Sequence, residues 1–548
     1  MKNHLTALLR NNIGLLALLF VSFLVYVPSL SGDFVVDDIP IIRDNPYIRD
    51  SSHLASFFST GLGANSALED NSSPIYRPLV LVVISLGHGL WGNNPAGYHL
   101  ALLLLHLANA LLVYVLIRKL AAGSAMAATV GAAMFALHPT RVESVAWLSG
   151  INDPLVVFFL LAALLAHQTF AGSQKKWRYL ALSLFCFQLA LWSKEVAIFF
   201  PLVVVAHDLI YRRKINWLAT SLHTVLVVGY LIARTLALGA SGKWNAFDLS
   251  RFPRAVDLTL GYSELLVFPA QVPFYIQPPE HSVSSALGWI GAITIVTLAG
   301  FSWRAFDQDR RKALALAAIW TIGFSWQAVL LMFYLDGYYS ARFLYVPAVG
   351  IAVFTAVFYD YLSANCSRLK TLIAASCLLI ISCYGAVTWK EIPVWHNNET
   401  IYRKVTEMAP ESAEGFNGLG HFYLAQDDYA AAEKNFLIAL QKAKTPQARV
   451  NSLEALGTLY GMNNNLAQSE RYLREAVQIE PRNSEAWAGL GNLAWVKGQV
   501  SEAISCYEKA LAIRPGNYEA AMNLAMAYEK SGQAARGALV RRSIRQQP

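Results

Sequence analysis

Apolar runs long enough to cross a bilayer fill most of the chain between residues 12 and 390, and they constrain the fold more than any other feature. Backbone held in hydrocarbon must satisfy its own hydrogen bonds, so each run is expected to be a helix. The runs fall at about 12–30, 99–117, 123–138, 145–168, 178–193, 196–211, 215–238, 284–303, 313–334, 341–362 and 369–389, which gives about eleven spans. Only 15% of the 548 residues are charged, well below the roughly 25% of soluble domains. The fold class expected is therefore all-α, a polytopic helical membrane bundle.

The positive charges give the bundle an orientation. Lys2 and Arg10, Arg118 and Lys119, Lys175, Lys176 and Arg178, Arg212, Arg213 and Lys214, Arg304 with Arg310, Arg311 and Lys312, and Arg368 with Lys370 form short clusters between runs. All fall on one side, cytoplasmic by the positive-inside rule, if 79–91 and 258–272 lie along the surface or re-enter. The net charge of +8 is thus topological and needs no nucleic-acid partner. The loop 31–98 and everything after 389 are then expected outside the cytoplasm, in a periplasm or in the lumen of the endoplasmic reticulum. The N-terminal run has no small-residue cleavage site and is expected to be a retained first helix. Cys186, Cys366, Cys377, Cys383 and Cys506 include no close CxxC pair, so neither a disulfide framework nor a metal knuckle is indicated.

Composition changes near Pro393. Residues 1–392 read as the membrane domain and 393–548 as a polar, extracytoplasmic repeat domain. Pro410, Pro446, Pro481 and Pro515 recur at intervals of 36, 35 and 34 residues, the period of a helix-turn-helix repeat. The interior matches the tetratricopeptide pattern: Phe416, Leu419, Gly420, Tyr423, Ala432, Phe436 and Ala439 in the first unit, and Leu453, Leu456, Gly457, Tyr460, Leu473 and Ala476 in the second. Trp487, Leu490, Gly491, Ala503, Tyr507 and Ala510 follow in the third. A fourth unit keeps Leu524 and Tyr528, then turns basic at Arg541, Arg542 and Arg545, as a terminal repeat facing water should. Such arrays bind peptides or proteins in a concave groove. Asn417, His421 and Asn492 are groove candidates, although solvated helix faces carry the same residue types.

Directly after the first run stands Asp33-Phe34-Val35-Val36-Asp37-Asp38, followed by Arg43-Asp44-Asn45-Pro46. Adjacent carboxylates at the end of a membrane helix are costly and point to function; an acidic loop in water or a helix cap is the plainer alternative. Together with Tyr76-Arg77-Pro78-Leu79, Gly97-Tyr98-His99, Leu105-His106-Leu107-Ala108-Asn109, His138-Pro139-Thr140-Arg141-Val142-Glu143-Ser144-Val145-Ala146, Ser193-Lys194-Glu195 and the repeats, this stretch resembles the protein O-mannosyltransferases and related GT-C enzymes. The likeness is greatest to the transmembrane and tetratricopeptide-repeat-containing O-mannosyltransferases, and it covers nearly the whole chain.

The resemblance implies transfer of a sugar, mannose or another hexose, from a polyprenyl-phosphate donor to a hydroxyl of a protein acceptor, with inversion. Such a reaction needs a carboxylate to take the hydroxyl proton. Asp37 is expected in that role, with Asp38 as its partner or as an acceptor-binding group. Cations must meet the charge growing on the departing phosphate, and Arg77, Arg141, Lys194 and Arg342 are the candidates. Arg141 can equally pair with Glu143. Lys194 and Glu195 can be interfacial charges, and Arg342 in Tyr338-Tyr339-Ser340-Ala341-Arg342-Phe343 an interfacial anchor. His99, His106 and His138, with Glu143 and Glu195, are expected to support the site from behind it. His99, His106 and His138 show no metal-ligand spacing on one element, and no metal or other cofactor is expected, although Asp37 and Asp38 could help hold a divalent ion. The expected partners are the lipid-linked sugar, a protein or peptide held by the repeats, and the bilayer. Two other classes compete: a non-catalytic membrane scaffold that assembles a complex through its repeats, and a surface-polysaccharide polymerase or ligase, which would favour arginine-centred loops. Convergence of the acidic pair with Arg141 and Lys194 would tell them apart. Sequons at Asn71 and Asn398 lie on the expected extracytoplasmic side.

Overall fold

A computed structural model describes residues 2–62, 75–120, 124–172, 177–239, 249–269, 272–273, 286–334 and 340–546. Lys175, Lys176, Asn71, Tyr338 and Tyr339 lie outside the described residues. All regular structure among those described is helical. The chain divides into two compact units, with the change between His396 and Asn397.

In the first unit each of the expected apolar runs folds as helix. Among the described residues, Ile13–Ser31, Pro95–Leu120, Leu148–Gly172, Trp217–Leu238, Ala348–Asn365 and Ser367–Trp395 are long and apolar enough to cross a bilayer, and Pro78–Trp91, Ala125–Leu137 and Gly288–Leu298 are shorter apolar helices. The chain is a membrane protein. Many of its apolar side chains face outward, among them Phe20, Leu104, Phe185, Leu236 and Leu378; on a helix surrounded by lipid this is the stable arrangement.

Several runs are broken where polar residues interrupt them. The run expected at 145–168 starts as a short helix, Val142–Ala146, and a 3-10 turn, Leu148–Ile151, before the long helix Asn152–Gly172. The run at 196–211 divides into a 3-10 turn, Glu195–Phe199, a helix, Phe200–His207, and a π-type turn, Asp208–Arg212. At one end of the bundle Arg310 bonds Asp360 at 2.7 Å, and the Ser124 backbone N–H donates to the same carboxylate at 3.3 Å. The opposite end carries the acidic loop.

That loop is not a free chain. Phe34, Ile41, Ile42, Ile48 and Phe57 pack with Val80, Leu81 and Ile84 of the helix Pro78–Trp91 and with Leu102 and Leu155 in one apolar cluster. Asn45 closes the turn by donating to the Ile41 carbonyl at 3.2 Å and accepting from the Tyr47 N–H at 3.0 Å.

The second unit opens with the helix Asn398–Met408. Four helix pairs follow: Ala413–Leu424 with Tyr429–Lys442, Pro446–Met462 with Leu466–Ile479, Ser484–Val496 with Val500–Ile513, and Tyr518–Lys530 with Ala534–Gln546. The repeat signature has a direct physical cause here. A Cβ added at Gly420 would lie 2.3 Å from the Phe436 ring, and one at Gly491 would lie 2.5 Å from the Tyr507 ring. The missing side chain on one helix is the space filled by the aromatic of its partner. Between the paired helices the chain turns through a left-handed residue each time, at Asp427, Asn464, Gly498 and Gly532, all residue types that tolerate that conformation.

Candidate active site

Asp37 and Asp38 are adjacent but face different surroundings. Asp38 is fully buried. Its Oδ1 accepts from the Ser149 N–H at 2.7 Å and from the Ser149 hydroxyl at 2.5 Å, and its Oδ2 accepts from the Val35 N–H at 3.1 Å. Burial pushes its carboxyl up to about 7 against the pull of those donors. Of the two roles expected for Asp38, partner of Asp37 or acceptor-binding group, the second would compete with these protein donors. Asp38 is a latch joining the loop to the turn Leu148–Ile151. Asp37 is only half-buried, and its carboxylate has no hydrogen-bond partner among the described residues. Burial raises its pKa above the ordinary aspartate value, and the Arg342 cation opposes the rise.

The backbone between Val35 and the acidic pair is strained. Val36 has φ of +47°, a conformation that a β-branched residue adopts only when its surroundings impose it. The latch on one side and the packed Phe34 and Val35 on the other supply that constraint. The outcome is one carboxylate turned inward and its neighbour left free.

The cations gather at the same end of the bundle. Arg77, 11% exposed at the side chain, forms a two-point pair with Glu195 at 3.0 and 2.7 Å. Burial would lower both charges' stability, but the pairing prevails: it holds the Arg77 pKa up and brings the Glu195 carboxyl down to about 2. Lys194 bonds Asp153 at 2.5 Å, and both are buried. Burial lowers the Lys194 pKa, with Asp153 opposing and the Arg77 and Arg342 charges adding to the fall.

Arg342 is 20% exposed, has its guanidinium 4.8 Å from the Trp147 ring and stands 3.6 Å from Glu143. Trp147 in turn stacks on Trp395 at 5.6 Å. Glu143 is held by the Ser340 hydroxyl at 2.7 and 2.6 Å and by the Arg342 N–H at 3.1 Å. Its carboxyl is raised by burial despite these partners.

Other candidates take structural positions. Arg141 does not pair with Glu143. It is 1% exposed, lies between Phe135 and Tyr345 at 5.7 and 5.6 Å, and burial lowers its pKa to about 10. Two of its nitrogens have no hydrogen-bond partner among the described residues. Asp153, the partner of Lys194, also acts on the Arg141 charge. His106 bridges the Tyr345 hydroxyl at 2.7 Å and the Ala136 carbonyl at 3.0 Å. His138 caps the turn Pro139–Arg141 through Thr140 and approaches the Leu266 carbonyl at 3.3 Å. His99 is buried against Gly32, behind the acidic loop.

In the repeats, Asn417 and Ser452 bond each other at 3.0 and 3.1 Å. Asn492 donates to Glu519 at 3.1 Å and accepts from Tyr507 and Asn523, each at 2.8 Å. Both asparagines therefore fasten successive repeats, whereas His421 is exposed.

Sequence reasoning missed Ser149, Asp153 and Ser340. Asp153 carried a signal, since an acidic residue in the first turn of an otherwise apolar helix is rarely idle. Ser149 and Ser340 carried none, because serine is common in every loop.

Part of this network, from Arg77 to Glu195, lies in a stretch that matches a known domain. Residues 72–237 match the family described as dolichyl-phosphate-mannose-protein mannosyltransferase, and residues 454–518 and 490–548 match tetratricopeptide repeats. The chain thus joins a stretch that matches the mannosyltransferase family to tetratricopeptide repeats.

Curated proteins that it resembles are named protein O-mannosyl-transferases. It is 26% identical over 449 residues to protein O-mannosyl-transferase F38B6.6 of Caenorhabditis elegans, covering 78% of this chain and 62% of that one. It is 23% identical over 550 residues to human protein O-mannosyl-transferase TMTC3, covering 89% and 59%. The chain therefore spans about three-fifths of the length of these relatives. Among solved structures, the Archaeoglobus fulgidus oligosaccharyltransferase in its apo form is 13% identical, over 76% of this chain and 60% of that one, with a TM-score of 0.42; a likeness that weak carries no weight.

Proposed function

We propose that the chain transfers a sugar, mannose or another hexose, from a polyprenyl-phosphate donor to a hydroxyl of a protein acceptor. The observation that carries this reading is the asymmetry of the acidic pair: a fixed Asp38 beside a half-buried Asp37 carboxylate that has no hydrogen-bond partner among the described residues and feels the Arg342 charge. The relatives' names and the matched domain supply the reaction class.

In the proposed reaction Asp37 accepts the proton of the acceptor hydroxyl as its oxygen attacks the anomeric carbon. The bond from that carbon to the phosphate oxygen breaks on the opposite face, which inverts the centre. The lipid phosphate leaves with the bonding electrons, and Arg342, partly exposed and only loosely held by Glu143, meets the growing charge. Lys194 and Arg77 act from behind it, because each already has a carboxylate partner. A raised pKa makes Asp37 a stronger base than an ordinary aspartate. The site and the repeats face the extracytoplasmic side, and the repeats hold the acceptor.

A scaffold would have no use for a carboxylate without a hydrogen-bond partner facing the Arg342 charge, and a polysaccharide polymerase or ligase would centre on arginines alone. The test is incubation of the purified full chain with labelled polyprenyl-phosphate-mannose and cell proteins. Protein-linked sugar of anomeric configuration opposite to the donor supports the proposal. Retained configuration overturns the mechanism, and no transfer from any polyprenyl-phosphate sugar overturns the activity.

A further inference from the structure

A second cluster of chemistry-bearing side chains lies away from the acidic loop and takes no part in the reaction proposed above. His167 stands on the helix Asn152–Gly172, His207 ends the helix Phe200–His207, and Asp208 begins the π-type turn Asp208–Arg212. All three are buried. Asp153 and His167 are at opposite ends of one helix. Fourteen residues at about 1.5 Å each separate the two by about 21 Å.

The donor atoms converge. His167 Nε2 is 3.1 Å and His207 Nδ1 3.3 Å from the same oxygen, Asp208 Oδ1. One ligand atom from each residue lies within 4.8 Å of the others. Four-coordinate zinc has bonds of about 2.0–2.2 Å to nitrogen and oxygen, which places neighbouring ligands about 3.3 Å apart. The two nitrogen-to-oxygen separations match that edge.

The other Asp208 oxygen accepts from the Asn216 N–H at 2.8 Å, which orients the carboxylate, as ligands of a metal usually are. The backbone is adapted to the same end. Side chains one residue apart on a regular α-helix diverge, and the π-type turn that starts at Asp208 changes the register there. The turn closes through Arg213 at φ of +55°. Such π-turns gather at functional sites.

Hydrogen bonds within the cluster leave one buried nitrogen over. His167 Nδ1 is buried without a hydrogen-bond partner among the described residues. A third imidazole, His223, faces His167 with ring centroids 6.3 Å apart and is tied to Ser183 at 3.1 Å. Three imidazoles and a carboxylate in an apolar bundle are costly unless something else binds there. Arg212, 3.8 Å from Asp208 and 35% exposed, can turn to solvent when a cation replaces it.

We propose that His167, His207 and Asp208 bind one divalent transition-metal ion of the zinc class, which clamps the helix Asn152–Gly172 to the segment Phe200–Arg212. A remaining position is open to water. The two-imidazole, one-carboxylate set selects this class over magnesium or calcium, which prefer oxygen alone.

The test uses the full chain in detergent, stripped with chelator and titrated with Co2+ and then Zn2+. Saturable uptake of one Co2+ per chain, with the visible absorption of a low-symmetry site and displacement by Zn2+ but not Mg2+, is expected. His207→Gln and Asp208→Asn should each weaken binding by more than about tenfold. Absence of saturable Co2+ binding, or binding unchanged in both variants, overturns the proposal. Should the variants fail to fold, X-ray absorption of the wild-type Co2+ form decides. Two imidazole ligands uphold the site, and a shell of oxygen alone removes it.

Discussion

The division of labour between Asp37 and Asp38 rests on individual hydrogen bonds. Ser149 supplies two of the three donors that hold Asp38, so Ser149→Ala removes the 2.5 Å hydroxyl bond and keeps the backbone one. Loss of a donor to a buried carboxylate costs about 1–3 kcal/mol. We expect a corresponding fall in stability by thermal unfolding, a lower kcat at nearly constant KM, and recovery with Ser149→Thr. An unchanged kcat in the alanine variant would show that the latch does not position Asp37.

The pH dependence follows from Asp37 itself. A base works ionised, so activity is present above its folded pKa and is lost as pH falls through it. Because burial raises that pKa, the loss should begin above 3.8, the ordinary aspartate value. Arg342 opposes the rise, so Arg342→Gln should move the acid limb of kcat/KM to higher pH as well as slow the reaction. An acid limb that stays in place would separate Arg342 from Asp37.

Among the elements, helix pairs and broken runs were legible to different degrees. The repeat pattern was visible because the glycine and its opposing aromatic are both fixed by one close contact, as at Gly491 and Tyr507. Gly491→Val places atoms where the Tyr507 ring lies and should cost about 1–3 kcal/mol through overpacking. Hydrogen exchange over residues 484–513 should accelerate in that variant; unaltered protection would contradict the packing account. The apolar runs were equally plain, since hydropathy follows from the bilayer alone. The breaks at Trp147, Lys194 and Asp208 were not, because a turn inside an apolar run depends on partners contributed by distant segments. The same reason hid Asn417 and Asn492: their sequence position suits a groove, whereas Ser452 and Glu519 on the next repeat bind them. Arg141 and Glu143, two residues apart, invited a pairing that the chain replaces with Phe135, Tyr345 and Ser340.

For the membrane unit as a whole, long-range ion pairs bring one end of the bundle together. Arg77 and Glu195 are 118 residues apart in sequence, and Arg77, 11% exposed at the side chain against 31% for Glu195, loses its hydrogen-bonded partner when Glu195 is neutralised. Glu195→Gln should cost about 1–3 kcal/mol, and failure to lower the unfolding temperature would remove the pair from the account of stability. The folded Glu195 carboxyl lies at about 2, below its ordinary 4.5. Its contribution is therefore complete above 4.5 and is lost as pH falls from there toward about 2. The acid limb of wild-type stability should be shallower in the variant. The pair and the acidic loop lie at the same end of the bundle, so the scaffold that binds the charges is also the one that presents the base.

The central claim is that Asp37 takes the acceptor proton. Its most direct test is the rate of sugar transfer from polyprenyl-phosphate-mannose by Asp37→Asn beside wild type, with thermal stability and binding of the lipid phosphate measured on the same samples. The account predicts a fall of about 10²–10⁴-fold in kcat while stability and lipid binding hold. Transfer at the wild-type rate by the Asp37→Asn protein would contradict it.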